Sequence, residues 1–180
     1  MNTTRRALLA SLLIALTVAA GQALAGIPNV ELVTFLVFIS GYLLGARLGA
    51  VIGACAMGAH SLFNVMGAVV APMWVAQIIV YAGVGISGGL LGHLILSRGR
   101  SVSGVLAALV GALLAFVYQI IINVVAYFTF TSETSMVAFI WGGVVFSAVQ
   151  VAWNAAVFLV ALRPTMSVLS RFRGEVGDVT

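Results

Sequence analysis

Long apolar runs separated by short polar breaks dominate the chain, and their lengths predict membrane-spanning helices. A helix needs about 20 mostly apolar residues to cross a bilayer. Segments near that length, of which the second is the shortest, cover residues 7–25, 30–46, 48–65, 72–96, 103–128 and 136–162. No polar linker is long enough to separate domains. The pattern therefore predicts one membrane domain over residues 1–180, an all-α integral membrane protein built as a six-transmembrane-helix bundle.

The composition supports a membrane protein, because 63% of the residues are hydrophobic and only 7% are charged. A soluble domain is usually about half apolar and about a quarter charged. No basic run is interleaved with aromatic residues, so the sequence lacks a nucleic-acid-binding pattern. The lone cysteine, Cys55, cannot form a disulfide within the chain.

The arginines predict the orientation of the bundle. Cytoplasmic loops of membrane proteins carry an excess of arginine and lysine. With both termini cytoplasmic, the outer loops carry Glu31 and Glu133 and no basic residue, and every arginine faces inward: Arg5, Arg6, Arg47, Arg98, Arg100, Arg163, Arg171 and Arg173. The sequence therefore predicts a multi-pass protein of the cell (plasma) membrane.

The first apolar segment has two interpretations. Arg5 and Arg6, an apolar core and the pattern Ala23-Leu24-Ala25 are typical of a secretory signal peptide cleaved after Ala25, which would leave five spans. The core is long for a signal peptide, however, and small residues recur at every fourth position: Ala7, Ser11, Ala15, Ala19 and Ala23. Such a stripe lets another helix approach closely, which favours retention of the segment.

Motifs for nucleotide chemistry are weak or missing. Residues 83–88 match G-x-G-x-x-G but lie inside a predicted span, where the glycines favour close helix packing. A phosphate loop needs a lysine, and the chain has none. His60 and His93 are predicted near opposite membrane faces, so they cannot share a metal. We therefore expect no enzyme activity, no metal and no cofactor.

Polar side chains recur on single faces of four predicted helices, mostly in their outer halves. Spacings of three or four residues create these faces. Each set alone is typical of hydrogen bonding between helices. Together they predict a cavity open to the outside, capped by the first loop. The predicted substrate-binding residues are Asn29, Glu31, His60, Asn64, Trp74, Gln77, Tyr81, Gln119, Asn123, Tyr127, Gln150 and Asn154.

Three stretches carry a resemblance to a known family. They are "IPNVELVTFLVFISGYLLGARLGAVIGA" (27–54), "SLFN" (61–64) and "GISGGLLG" (85–92). With six short spans and the small-residue stripe, the sequence resembles the substrate-binding S-components of energy-coupling factor (ECF) transporters. The resemblance covers most of the chain and is not specific to one substrate.

The resemblance implies a function without catalysis. S-components bind a vitamin-like micronutrient on the outer side and dock on a transmembrane T-component, which couples to two cytoplasmic ATPase subunits. The resemblance implies docking through the small residues of the first helix, here Ala7, Ser11, Ala15 and Ala19. It also implies that the first loop closes over the substrate and that the subunit then tilts to release it inward.

The sequence does not identify the substrate, and it leaves alternative functions open. No arginine or lysine lies in the predicted outer half, so a neutral or cationic ring compound is favoured over an anion. The start "MNTTRR" lacks the histidine cluster of the family's metal-transporting members, which argues against a metal substrate. A membrane scaffold or assembly subunit and a small intramembrane enzyme are the alternative functions.

Overall fold

A computed structural model describes residues 3–64, 67–130 and 135–177, with side chains described as far as residue 170. This part of the chain is helical without a strand, as the sequence predicts, and its elements are α1 (Thr3–Leu24), α2 (Val33–Leu44), α3 (Ala46–Leu62), α4 (Ala71–Leu96), α5 (Arg100–Phe130) and α6 (Met136–Gly177). Within the described ranges, α1, α4, α5 and α6 as far as Ser170 are long and apolar enough to cross a bilayer. These helices indicate a membrane protein.

The second predicted span is shorter as a helix than the sequence indicates, and the third agrees in length to within one residue. α2 has 12 residues and α3 has 17, which correspond to about 18 and 26 Å of helix. The hydrocarbon core of a bilayer is about 30 Å thick. α2 lies at the centre of the bundle against all five other helices, and every residue except Leu36 and Leu43 is buried. The span predicted for residues 30–46 is therefore a short helix surrounded by protein.

The last helix is longer than predicted. α6 continues past residue 162 and through Pro164 to Gly177. α5 and α6 pack side by side, with Arg163 Nη1 donating to Ser103 Oγ at 2.5 Å. Further along this pair, Gly111 lies against Phe158. This helical pair forms one side of the bundle.

Glycines bring α2, α3 and α4 into backbone contact. We call Gly41, Gly49, Gly53, Gly85 and Gly88 the glycine seam. A Cβ added at Gly85 would lie 2.0 Å from the carbonyl oxygen of Gly49, and one at Gly41 would lie 1.9 Å from that of Gly85. The G-x-G-x-x-G stretch thus serves helix packing, as its place in an apolar helix predicts.

A tight turn at Gly45 joins α2 to α3 and lies at one end of the bundle. Its φ of +89° is a left-handed conformation that glycine adopts without steric cost. Arg6 Nη2 donates to the Leu44 carbonyl at 3.3 Å, which brings the start of α1 to the same end.

The α4–α5 connection reaches this end as well. Arg163 Nη1 donates to the Arg98 carbonyl at 3.4 Å, and the rings of Tyr42 and His93 lie 4.9 Å apart. Because Arg6, Arg47, Arg98, Arg100 and Arg163 gather here, we call it the arginine end. Its assignment to the cytoplasmic side stays a prediction.

Candidate functional site

The loop between α1 and α2, residues 25–32, enters the bundle instead of lying across its end. Trp153 Nε1 donates to the Glu31 carbonyl at 2.7 Å. Trp153 precedes Arg163 by about 15 Å along α6 and follows Met136 by about 26 Å. Glu31 therefore lies at the depth of the middle of α6, deeper than its predicted place at the outer surface.

The conformation of the loop suits its residues. Pro28 follows the last turn of α1, and Asn29 has a φ of 62°. Asparagine tolerates this left-handed conformation better than most residues with a Cβ. Gln119 Nε2 approaches Asn29 Oδ1 at 3.5 Å, so α5 also contacts the loop.

The Glu31 carboxylate is held by neutral donors from two helices. Glu31 Oε1 accepts hydrogen bonds from Thr34 Oγ1 at 2.7 Å and from Asn154 Nδ2 at 2.8 Å. Glu31 Oε2 accepts from the backbone N–H of Thr34 at 2.8 Å, which caps the start of α2. A carboxylate at this position is also favoured by the helix dipole.

Glu31 forms part of the wall of a cavity of about 240 Å³, which we call the Glu31 cavity. Ligand pockets usually measure about 300–1,000 Å³, so this one suits a small compound. Its polar walls come from the loop, α3, α4, α5 and α6. The residues that line it are Gly21, Leu24, Ala25, Ile27, Pro28, Asn29, Val30, Glu31, Val33, Met57, His60, Asn64, Tyr81, Tyr118 and Gln150.

Half of the predicted substrate-binding residues line this cavity, namely Asn29, Glu31, His60, Asn64, Tyr81 and Gln150. They come from segments far apart in sequence, and the entry of the loop into the bundle brings them together. The prediction that polar faces of separate helices converge with the first loop therefore agrees with this geometry for these six. Their role in binding stays a prediction.

Three other predicted residues hold neighbouring groups in place. Trp74 Nε1 donates to the Gly58 carbonyl at 3.0 Å. Gln77 accepts from Ser61 Oγ at 2.7 Å and donates to the Tyr118 hydroxyl at 3.2 Å, which joins α3, α4 and α5. Asn154, fully buried, fixes Glu31 as described above.

The last three, Gln119, Asn123 and Tyr127, lie on the α5–α6 pair. Gln119 Nε2 donates to Gln150 Oε1, and Ser147 Oγ donates to Gln119 Oε1 at 3.2 Å. Asn123 lines a separate cavity of about 430 Å³ with Phe139. The Tyr127 ring packs against that of Phe139 at 5.8 Å. Asn123 and Tyr127 therefore lie outside the Glu31 cavity.

His60 packs against α1 through a glycine. A Cβ added at Gly21 would lie 2.7 Å from His60 Nδ1 and 2.9 Å from Val33 Cγ2. Gln22 Nε2 donates to the His60 carbonyl at 3.1 Å. His60 Nδ1 is buried and, within the described part of the chain, has no hydrogen-bond partner. The imidazole thus offers one unused nitrogen beside the cavity.

Sequence reasoning missed Thr34, Ser61 and Tyr118 at this site. Thr34 follows Glu31 by three residues at a helix start, a spacing at which an acidic side chain can cap the helix. Ser61 and Tyr118 are next in sequence to the predicted His60 and Gln119. Their place at the site depends on hydrogen bonds to Gln77, which helical spacing does not reveal. Tyr118 also stacks edge-on with Tyr81, with 5.5 Å between ring centroids.

A larger cavity among the described residues lies elsewhere. It measures about 660 Å³ and separates the start of α1 from the α2–α3 turn at the arginine end. Arg6 and Arg47 line it with mostly apolar neighbours such as Leu44 and Leu48. The Glu31 cavity instead brings together polar groups from four helices and the first loop, so that cavity is the candidate site.

The predicted docking residues lie on an exposed face of α1. Ala7, Ser11, Ala15 and Ala19 are exposed, whereas Leu13, Thr17 and Gly21 are buried against the bundle. Among the described residues the small-residue stripe is therefore largely open, although Ala7 also lines the cavity at the arginine end.

No protein-family model, curated protein or solved structure matches the chain. The geometry is thus the basis for the function proposed below. It can bind a small molecule between a loop and a helical bundle, with a carboxylate, an imidazole, amides and phenol groups as polar contacts.

Proposed function

We propose that the protein is the substrate-binding S-component of an ECF-type importer. It binds a vitamin-like micronutrient from outside and delivers it inward with ATP-hydrolysing partners. The observation that carries this proposal is the Glu31 cavity, where the first loop meets polar residues of four helices. The sequence resemblance implies a substrate site built from these same parts.

The orientation follows from the charges. With the arginine end in the cytoplasm, in accord with the positive-inside rule, the first loop enters the bundle from the outer side and reaches the Glu31 cavity near the middle of α6. Substrate then enters from outside past α1 and the loop. Both termini lie in the cytoplasm under this proposal, and the protein crosses the plasma membrane several times.

The first helix is retained in this proposal. Gly21 and Leu24 of α1 line the Glu31 cavity, and Gln22 bonds to α3. Cleavage after Ala25 would remove one wall of the site. A signal peptide has no reason to make such contacts.

Partners supply the energy. The chain has no lysine and hence no phosphate loop, so ATP hydrolysis falls to two cytoplasmic ATPase subunits coupled through a T-component. The exposed stripe of Ala7, Ser11, Ala15 and Ala19 offers a surface on which a second helix can approach closely. This stripe is the proposed docking surface for the T-component.

Mass spectrometry of the purified protein tests the binding function. The intact protein should have the mass of the full chain or of the chain without Met1. Denaturation should release a stoichiometric small molecule with a ring. A protein without bound compound, shortened by the residues before Gly26, would contradict the proposal.

Substitutions on two exposed helix faces test the docking surface. Ala15→Trp should block co-purification with a T-component and its ATPases while leaving ligand binding unchanged. Ala152→Trp on α6 is the matched control, because Ala148, Ala152 and Ala156 are also exposed at fourfold spacing. Assembly that survives Ala15→Trp, or fails only with Ala152→Trp, would remove the docking role from α1.

A scaffold subunit is the second candidate. Trp74, Gln77 and Asn123 bond to other helices, an arrangement that a protein without a ligand also needs. The two candidates differ in ligand binding, because a scaffold would release no small molecule upon denaturation.

A further inference from the structure

The Glu31 carboxylate is a negative charge in the interior of a helical bundle. In the described part of the chain its hydrogen-bond donors are the neutral groups of Thr34 and Asn154. Its backbone carbonyl is bonded to Trp153, which is neutral as well. Glu31 is only partly buried, and a charge partly withdrawn from water is stabilised by an opposite charge beside it.

The described arginines are too far away to supply this charge. Arg6 and Arg47 lie beside Leu44, at the far end of α2 from Glu31, a separation of about 18 Å along the helix. The start of α2 contributes only about half an elementary charge. The carboxylate therefore keeps a net negative potential toward the cavity.

His60 does not fit the role of the missing cation. An imidazolium has two N–H donors, and a proton on the buried Nδ1 would lack an acceptor. The neutral imidazole with its proton on Nε2 leaves Nδ1 as an acceptor. Asn154 Oδ1 is also buried without a partner among the described residues, but Asn154 does not line the cavity.

The cavity thus combines a carboxylate with one unused acceptor, His60 Nδ1, and aromatic rings. Tyr81 and Tyr118 both line it, and their ring faces attract cations. At about 30 Å³ per water molecule, 240 Å³ corresponds to about eight waters, the space for a compound with one ring.

We infer that the Glu31 cavity binds a small single-ring organic cation whose positively charged nitrogen lies against the Glu31 carboxylate. This inference rests on the proposed function and narrows it, because the sequence alone leaves a neutral substrate open. The cation supplies a positive charge opposite the Glu31 carboxylate, and its N–H groups donate to the carboxylate oxygens and to His60 Nδ1. An anionic compound of the same size meets the carboxylate and is rejected.

Three probes of equal size and different charge test the inference by calorimetry on the purified protein in detergent. Benzamidinium, benzamide and benzoate share one ring and nearly one shape. Benzamidinium should bind about tenfold tighter than benzamide, as a charge-assisted hydrogen bond does relative to a neutral one. Benzoate should show no binding.

Two variants then test whether Glu31 causes the preference for the cationic probe. Glu31→Gln should abolish the preference for benzamidinium over benzamide, whereas Arg47→Gln, at the arginine end, should leave it unchanged. If Glu31→Gln does not fold, the order of the three probes on the native protein still decides. Equal or better binding of benzamide or benzoate, or no binding of any probe, would overturn the inference.

The importer proposal is judged separately. A neutral or anionic compound that co-purifies with the protein would overturn the cation inference and leave the transport proposal standing. If no compound co-purifies and the protein does not assemble with ATPases, the transport proposal itself is overturned.

Discussion

The glycine seam and the Glu31 cavity join the same helices by opposite means. In the seam, α2, α3 and α4 touch through their backbones, and a single added carbon at Gly85 or Gly88 would lie within 2.0 Å of a carbonyl oxygen. In the cavity, side chains from these helices keep the backbones apart and leave about 240 Å³ between them. The seam fixes how the helices cross, and the cavity uses the space that this crossing creates.

This difference separates stability from binding. A lipid environment gives helices little hydrophobic reason to associate, so close backbone contact and hydrogen bonds hold the bundle together. Substitutions in the seam should therefore unfold the protein, whereas substitutions around the cavity should change what it binds. The predictions below test this division, from the largest effect to the smallest.

The largest effect is expected in the seam. Gly85→Ala places a Cβ 2.0 Å from the Gly49 carbonyl oxygen, so α3 and α4 must separate. Overpacking of this kind costs about 3 kcal/mol or more when backbone has to move. Thermal unfolding in detergent should show a lowered midpoint or a protein that no longer folds.

Gly83→Ala is the control, because nothing lies within 4 Å of a Cβ there and the residue is in the same helix. Alanine favours a helix over glycine by about 0.5–1 kcal/mol, so this variant should be unchanged or slightly more stable. Equal loss of stability in both variants would show that close contact at the seam is not what holds α4.

An intermediate effect is expected from Gln77→Leu. The substitution leaves the Tyr118 hydroxyl without its donor and removes one of the two acceptors of Ser61 Oγ, the other being the Met57 carbonyl. Buried polar groups that lose a partner cost about 1–3 kcal/mol. Unfolding should move to lower temperature, and binding of benzamidinium should weaken because Tyr118 lines the cavity. Weakened binding without any loss of stability would place Gln77 in direct contact with the ligand.

A smaller effect, confined to binding, is expected from Gly21→Ala. The added Cβ would meet two side chains, those of His60 and Val33, and no backbone atom among its nearest contacts. These side chains can shift, so stability should fall by about 1 kcal/mol while the cavity loses its shape. Calorimetry should show weaker binding of benzamidinium. Gly26→Ala, with nothing within 4 Å, is the control, and an equal effect of both substitutions would contradict this role of Gly21.

The fold was largely predictable from the sequence, because the lengths of apolar runs determine where membrane helices form. The first five predicted helices agree with α1 to α5 to within a few residues at each end. The sixth does not, because the apolar run predicts an end at residue 162 whereas α6 continues through Pro164 to Gly177.

The cavity was predictable in its ingredients and not in its arrangement. Helical spacing places His60 with Asn64 and Gln77 with Tyr81 on shared faces. Residues on one face can nevertheless either line the cavity or bond to other helices. Tyr81 lines the cavity, whereas Gln77 bonds to Ser61 and Tyr118. The difference depends on how deeply residues 25–32 enter the bundle, which follows from tertiary contacts such as that between Trp153 and Glu31.

The smallest effect is expected from Asn123→Leu, which tests whether the binding site extends as far as Asn123. Asn123 Nδ2 donates to Ser147 Oγ at 3.3 Å and approaches Gln119 Oε1 at 3.5 Å, both long contacts between partly buried groups. Their loss should cost no more than about 0.5 kcal/mol, the lower range for a hydrogen bond. Because Asn123 lines a different cavity, benzamidinium should bind as it does to the native protein. If Asn123→Leu abolished benzamidinium binding, the site would extend from Glu31 along the α5–α6 pair. Gln119 and Gln150 would then bind the ligand instead of hydrogen-bonding to each other.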